Sequence, residues 1–222
     1  MDFDIFAREY DAQLHAHLQK YGQKTSYYIE YKISLMKQCA TNKNPVAILD
    51  FGCGVGRSLP FLCRYFPGSE IWGCDTSRDS LRIAKGGNPQ CSFFSAEERP
   101  SQRFTLVFAS CVFHHIPLVK RDAVMQTVAS WMEPGAELFV FEHNPYNPVT
   151  RHLVNTCPFD RDVVLLPLSA MTRLMLRSAL SVTTTKYTLF FPASLNRWQS
   201  FERFLSWLPL GGQYMVHAAR II

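Results

Sequence analysis

The sequence has no uninterrupted apolar run approaching the ~20 residues that a membrane-spanning helix requires. Nor does it open with a basic, apolar, small-residue leader, so the expectation is a soluble, cytoplasmic protein with no membrane partner. Its seven cysteines are odd in number and include no CxxC pair, which argues against a disulfide framework and leaves them as reduced, mostly buried thiols. A zinc site would want two close Cys or His pairs. Cys111 with His114 and His115 is the nearest approach and has no second cluster to complete a tetrahedron, so no metal is expected. Lysine and arginine exceed aspartate and glutamate by 23 to 18, but the excess is dispersed instead of striped along one helix. That argues against nucleic acid as a partner and mildly favours an anionic substrate. No repeat, low-complexity tract or linker divides the 222 residues, and a single domain is expected.

What is present is an alternation of apolar strands and amphipathic segments, the pattern of a mostly parallel sheet covered by helices. Residues 5 to 40 have aromatic and aliphatic side chains at near-helical spacing. Strands are expected at about Val46 to Phe51, Glu70 to Cys74, Cys91 to Phe94, Phe104 to Ala109 and Glu137 to Phe141. After Pro148 a helix near Ala170 to Ser178 precedes a β-rich run SVTTTKYTLFF, an amphipathic helix from Ser194 to Leu208, and a last strand QYMVHAARI. Two late strands joined by a long excursion predict an antiparallel pairing at one sheet edge.

The stretch ILDFGCGVGR, residues 48 to 57, sets an apolar strand and an acidic residue before three alternating glycines, with Ser58, Phe61 and Leu62 opening a helix. This strand-turn-helix context is what a nucleotide loop needs. Gly52, Gly54 and Gly56 permit positive φ and let a ligand lie against bare backbone, and Asp50 can accept hydrogen bonds from the loop or from a ligand ammonium. A dinucleotide loop has GxGxxG; here the third place is Arg57, a bulky cation. The next strand ends in Asp75, 19 residues after Gly56, where a carboxylate can accept both ribose hydroxyls or cap the following helix, as Thr76 and Ser77 also can.

In order and spacing, ILDFGCGVGRSLPFL, EIWGCDTSRDSLRIA, FFSAEE, FTLVFASCVFHHI and WMEPGAELFVFEHNP resemble the class I S-adenosylmethionine-dependent methyltransferase family over roughly residues 46 to 145. The resemblance implies a Rossmann-like, seven-stranded, mostly parallel sheet with helices on both faces and an antiparallel strand at one edge. It also implies a division into an N-terminal helical lid (1–42), a cofactor-binding core (43–145) and C-terminal substrate-side elements (146–222). By the same resemblance S-adenosyl-L-methionine is the cofactor. Asp50, Gly52, Cys53, Gly54 and Gly56 hold its methionine end, and Asp75, with Thr76 beside it, holds the ribose. Ser95, Ala96 and Glu97 flank the adenine, and Ser110 and Cys111 pass beside the methionine moiety. Ser95 stands where the family commonly has an acidic residue, and Thr105 replaces the usual aspartate of the fourth strand.

Methyl transfer is an in-line displacement that asks the enzyme chiefly to align the nucleophile, with a base needed only for a protonated acceptor. His114 and His115, just past the fourth strand, and Glu142 with His143, past the fifth, are the candidates at the carboxyl edge of the sheet. In FDIFAREYD, Tyr10 is placed as an aromatic lid residue near the sulfonium. Asn144, Pro145 and Tyr146 resemble an NPPY-type motif, but they follow the fifth strand instead of the fourth. They read as a turn from which Asn144 and Tyr146 line the acceptor pocket. The expected function is methyl transfer to a small molecule, a sugar or another biosynthetic intermediate. A nucleic-acid or protein methyltransferase and a catalytically silent S-adenosylmethionine-binding subunit are the alternatives. The apolar stripe Trp198, Phe201, Phe204, Leu205 and Leu208 is expected to pack mostly on the sheet.

Overall fold

Alternating side chains along the strands divide the core between the two faces of one sheet, and this division decides where the polar groups at the strand ends point. The computed structural model of the chain describes residues 25–157 and 163–221. In chain order the elements are α1 (Thr25–Cys39), β1 (Ala47–Phe51), α2 (Leu59–Tyr65), β2 (Glu70–Asp75), α3 (Arg78–Gly87), β3 (Ser92–Ser95) and β4 (Phe104–Ser110). Two short 3-10 turns (Phe113–His115 and Leu118–Lys120) lead to α4 (Arg121–Trp131), β5 (Met132–His143), α5 (Pro148–Thr156), α6 (Leu168–Leu176) and β6 (Leu180–Thr188). A 3-10 run (Ala193–Phe201), α7 (Glu202–Leu205) and β7 (Gln213–Arg220) complete the described chain.

The strands form one sheet in the order β3-β2-β1-β4-β5-β7-β6. Strands β1 to β5 pair in parallel, and β7 runs antiparallel to both β5 and β6. The reversed strand therefore lies one place in from the edge. Strand order changes direction between β1 and β4, and ligands of such sheets bind outside the carboxyl ends at that point. On one face Leu49, Phe51, Val107, Leu138 and Val140 pack with Met125, Val128 and Trp131 of α4 and Met171 and Leu174 of α6. On the other, Ile48, Leu106, Phe108, Phe139 and Phe141 pack with Ile33 and Met36 of α1 and Leu59 and Leu62 of α2. The EPGA stretch loops out of β5 between the pairs Phe104↔Met132 and Leu106↔Glu137, with Gly135 at φ +76. Among the described residues no helix is long and apolar enough to cross a membrane.

Within the helical stretch expected over residues 5 to 40, α1 is helical, and Tyr10 lies outside the described residues. One expectation changes. The continuous helix expected from Ser194 to Leu208 is instead a 3-10 run, non-helical at Leu195, followed by the four-residue α7. Its aromatic stripe faces out: Trp198, Phe201 and Phe204 are exposed. What turns inward is Glu202, which is buried. Its carboxylate accepts the N–H groups of Leu189, Phe190 and Phe191 and the hydroxyl of Tyr31. Backbone donors left by the end of β6 thus dictate which side of this segment is buried, because an unpaired buried N–H costs about as much as a lost hydrogen bond.

A second buried carboxylate fixes the α1–β1 connection. Glu137 of β5 accepts the N–H groups of Thr41 (2.8 Å) and Asn42 (2.9 Å) and contacts His217 Nε2 at 2.8 Å, while the His217 ring stacks on Phe139 at 4.1 Å. Burial works against its charge, but His217 and the two N–H groups hold the carboxyl at about 2. A carboxyl lowered in the folded state stabilises above its unfolded range, near pH 4.5, and that contribution is lost as pH falls toward 2. Glu137→Ala should lower unfolding stability by about 3 to 5 kcal/mol, since it strands a buried histidine and two N–H donors. Urea unfolding at pH 7 checks this; a loss below ~1 kcal/mol would show that the cluster contributes little.

Candidate functional site

At the carboxyl edge, β1 delivers Asp50 on the face covered by α1, the same face as Phe108 and therefore as Ser110 of β4. Lys32 of α1 reaches this corner from above, buried, with its amine donating to Ser110 Oγ at 2.6 Å. Asp50 is buried and accepts the Ser58 hydroxyl. Burial pushes its carboxyl up to about 7, with Asp75 adding to the rise and Ser58 and Lys32 opposing it. Beyond β1 the glycine loop turns under Asp75, whose Oδ2 accepts the Gly54 N–H at 2.8 Å and whose Oδ1 accepts the Ser77 N–H at 2.9 Å. Ser77, instead of Asp75 or Thr76, supplies the side-chain cap of α3, accepting Ser80 N–H at 3.1 Å.

All three loop glycines have positive φ, but for different ends. A Cβ on Gly52 would lie 2.4 Å from Val112, and one on Gly56 would press on Ala84 and Asn88. These two permit chain packing. A Cβ on Gly54 would meet nothing within 4 Å, because this glycine opens on a cavity of about 1050 Å³.

Across the cavity the edges of β4, β5 and β7 converge. Cys111 holds φ +59, a conformation uncommon outside glycine. Its Sγ receives Gln213 Nε2 at 3.3 Å, and the same amide nitrogen lies 3.4 Å from His143 Nδ1. Burial alone would raise the Cys111 thiol, but His143 and Lys32 bring it down to about 6. Gln213 is buried and its Oε1 has no partner among the described residues. On the opposite face, Glu142 is consumed by structure: Oε1 accepts the N–H groups of Val112 (2.9 Å) and Phe113 (2.6 Å), and Oε2 meets His114 Nδ1 at 2.6 Å. Burial opposes its charge, yet His114, His143 and the Phe113 N–H hold the carboxyl below its ordinary value. The His115 ring packs on His114 at 4.1 Å, and His143 lies 5.1 Å from it.

Of the residues singled out in the sequence, Asp50, Gly52, Cys53, Gly54, Asp75, Thr76, Ala96, Glu97, Ser110, Cys111, His114 and His115 line this one cavity. Gly56 and Ser95 stand behind it, Ser95 buried with its Oγ accepting the Glu97 N–H at 3.4 Å. Thr105 bridges to β1, its hydroxyl donating to Ala47 O and accepting Ala47 N–H, so its place is structural. Asn144 and Tyr146 are not in the wall. Asn144 is buried and donates to Pro209 O and Gly211 O while accepting the Tyr146 N–H, and Tyr146 is exposed. Tyr10 lies outside the described residues. Lys32, His143, Gln213 and the wall Leu189–Phe190–Phe191–Pro192 complete the cavity. Lys32 was detectable in principle, since it falls among Ile29, Ile33 and Met36 on the buried stripe of α1.

A sequence family described as a methyltransferase domain matches residues 49–138. A trans-aconitate 2-methyltransferase of Rhodopseudomonas palustris (strain BisB18) is 35% identical over 100 residues, covering 44% of this chain and 38% of that protein. One from Azoarcus sp. (strain BH72) is 26% identical over 114 residues, covering 50% of this chain and 44% of its own length. The matches thus span less than half of these curated relatives. Among solved structures, a chain of the complex between the Haloferax volcanii Trm112 methyltransferase activator and a methyltransferase aligns with TM-score 0.71 at 13% identity, covering 100% of this chain and 98% of its own. An S-adenosylmethionine-dependent methyltransferase from Mesorhizobium loti aligns with TM-score 0.62 at 19% identity over 86% of this chain and 98% of its own. The magnesium protoporphyrin IX methyltransferase of Synechocystis PCC 6803 with bound S-adenosylhomocysteine gives 0.60 at 16%, over 88% of this chain and 83% of its own. At these identities the structures establish a shared fold.

The environment of Cys111 has a chemical signature. Its thiol should ionise near pH 6, whereas burial pushes Cys53 and Cys74 up and Cys91 to about 12. Iodoacetamide should therefore label Cys111 ahead of these three, at a rate that rises through about pH 6 and levels above it, because the thiolate is the nucleophile. Peptide mass spectrometry after timed labelling reads this out. A midpoint at an ordinary thiol pH would contradict the electrostatic role given to His143 and Lys32.

Proposed function

We propose that this chain, a member of the class I S-adenosylmethionine-dependent methyltransferase family by its matched core and its fold, transfers a methyl group from S-adenosyl-L-methionine to a small, anionic acceptor. The observation that carries the reading is the glycine at position 54, open to the cavity and flanked by the carboxylates of Asp50 and Asp75. This is a cradle that a Cβ would fill. Asp50 would pair with the ammonium of the methionine end, the loop Gly52 to Gly56 and Ser110 with Cys111 would border that end, and Asp75 with Thr76 would take the ribose hydroxyls. Ala96 and Glu97, backed by Ser95, would flank the adenine. When bound, the cofactor supplies an electrophilic methyl on a sulfonium that is its own leaving group. Within one domain, residues 43–145 would hold the cofactor and 146–222 would shape the acceptor side.

The chain's own groups would act on the acceptor. His114 would act as the base in the tautomer whose Nδ1 donates to Glu142, the partner that favours that tautomer. Glu142 is thereby a positioning residue for the base. Lys32, Lys120, His114, His115 and His143 line the cavity and favour an acceptor that carries a carboxylate or similar anion. The curated relatives named for trans-aconitate point the same way. A sugar or another biosynthetic intermediate bearing such a group fits the same wall, and a cavity bounded by Phe190 and Phe191 supports a small molecule over a nucleic acid or protein. Tyr10 remains proposed as a lid residue. Asn144 and Tyr146 would act on the acceptor side through the turn they build.

Calorimetry should show S-adenosylhomocysteine binding and no NAD binding. The affinity should fall as the pH is lowered through about 7, because protonated Asp50 loses its attraction for the ammonium. Asp75→Ala should weaken binding by roughly 1 to 3 kcal/mol through the ribose hydrogen bonds. NAD binding, or an affinity indifferent to Asp75→Ala, would defeat the cofactor assignment. For the acceptor side, His114→Ala should lower turnover by ~10²-fold with nearly unchanged cofactor affinity, the usual scale for a lost general base. Equal losses in both would place His114 in the cofactor pocket instead.

A further inference from the structure

The segment that turned inside out leaves an aromatic surface with no partner among the described residues. Trp198 is 44% exposed, Phe201 50%, Phe204 60%, Trp207 74% and Leu210 61%. A protein of this size rarely shows so many large apolar side chains together unless something covers them. The patch continues to the start of α5, where Tyr146 (63%) in the preceding turn and Val149 (62%) in the helix are also exposed. Hydrogen bonds join the two parts: Asn147 Nδ2 donates to Leu210 O at 2.7 Å, and Asn144 Nδ2 donates to Pro209 O and Gly211 O. Asn147, Val149 and Phe190 to Pro192 line the cavity, so the patch borders the cavity wall on this side.

Among the described residues of this surface the exposed charge has one sign. Residues 144–157 contain no acidic residue, and residues 189–212 contain only Glu202, which is buried against Leu189, Phe190 and Phe191. The exposed charges are Arg151, Arg197 and Arg203, and the Arg203 guanidinium lies 4.6 Å from the Phe204 ring centre. Tryptophan and phenylalanine beside arginine, with no exposed carboxylate between them, match the headgroup region of an anionic bilayer: apolar rings enter the acyl boundary while guanidinium groups meet phosphate. The absence of a membrane-spanning run does not bear on such peripheral contact.

We infer that the exposed surface formed by Trp198, Phe201, Phe204, Trp207 and Leu210, with Arg197 and Arg203, beside the cavity wall, docks the protein on an anionic lipid surface. Docking there brings the cavity wall at Asn147, Val149 and Phe190 to Pro192 close to the bilayer, which would shorten the path of an acceptor carried in or at that surface.

Sedimentation of the full chain with phosphatidylcholine vesicles, with and without phosphatidylglycerol, tests this. Binding is expected to the phosphatidylglycerol vesicles, with a blue shift of tryptophan emission, and it should weaken as salt is raised. The double variant Phe204→Ser with Trp207→Ser, and separately Arg197→Glu with Arg203→Glu, should each weaken binding by ~10-fold or more while melting temperature and S-adenosylhomocysteine affinity stay unchanged. Failure to bind phosphatidylglycerol vesicles at low salt, or binding that neither variant alters, overturns the inference. So does a dimer in sedimentation velocity that the Phe204/Trp207 variant dissolves, which would assign this face to a second copy of the chain. None of these readouts depends on methyl transfer, so the docking surface and the catalytic assignment can fail separately.

Discussion

The buried carboxylate of Glu142 is the point on which both halves of the cavity depend. It fixes the turn after β4 by accepting the N–H groups of Val112 and Phe113, and it fixes the His114 ring through Nδ1. Val112 in turn fills the space left by the missing side chain of Gly52. The glycine loop on one side and the histidine turn on the other are therefore packed through a single residue whose backbone is held by one carboxylate. Removing that carboxylate group would leave two buried N–H donors and a buried imidazole without their acceptor.

Strand parity explains why the remaining polar groups fall into two sets. Asp50 and Ser110 share the α1 face, where the amine of Lys32 meets Ser110, and Gln213 and His143 reach that face from their opposed positions on β7 and β5. Glu142 and His114 belong to the α4 face. The electrostatics follow from this sorting. Asp50 is raised by burial despite Lys32, whereas Glu142 stays charged because its donors are numerous and close. The cavity thus has a reluctant carboxylate on one side and, on the other, an imidazole held by a carboxylate that stays charged.

Much of this was legible in the sequence because it is local. The glycine loop, Asp75 at the end of β2, and the histidines past β4 are marked by short patterns at strand ends, and the strands themselves by apolar runs. Positions fixed by distant contacts were harder to see. Lys32 sits on a core stripe where periodicity expects an aliphatic residue, and its partner Ser110 lies 78 residues away. Periodicity also put the aromatic stripe of residues 198–208 inward, since it weighs hydrophobicity alone. Glu202 turned it outward because the N–H groups of Leu189 to Phe191 and the hydroxyl of Tyr31, 171 residues distant, needed an acceptor. Asn144 likewise looked like a pocket residue and proved to be the clasp of the 209–212 turn.

The sheet order carries a consequence for the newly made chain. Because β7 follows β6 in the chain yet lies between β5 and β6, β6 has no neighbour to pair with until residues 213–220 have left the ribosome. Until then β5 presents an open edge from Glu137 to His143, the length later covered by Gln213 to Ala219. His217, the partner of Glu137, is also missing. A polypeptide interrupted before Gln213 would thus keep its glycine loop and parallel strands yet expose a sticky, unpaired ladder, so β7 acts as the closing stitch of the sheet.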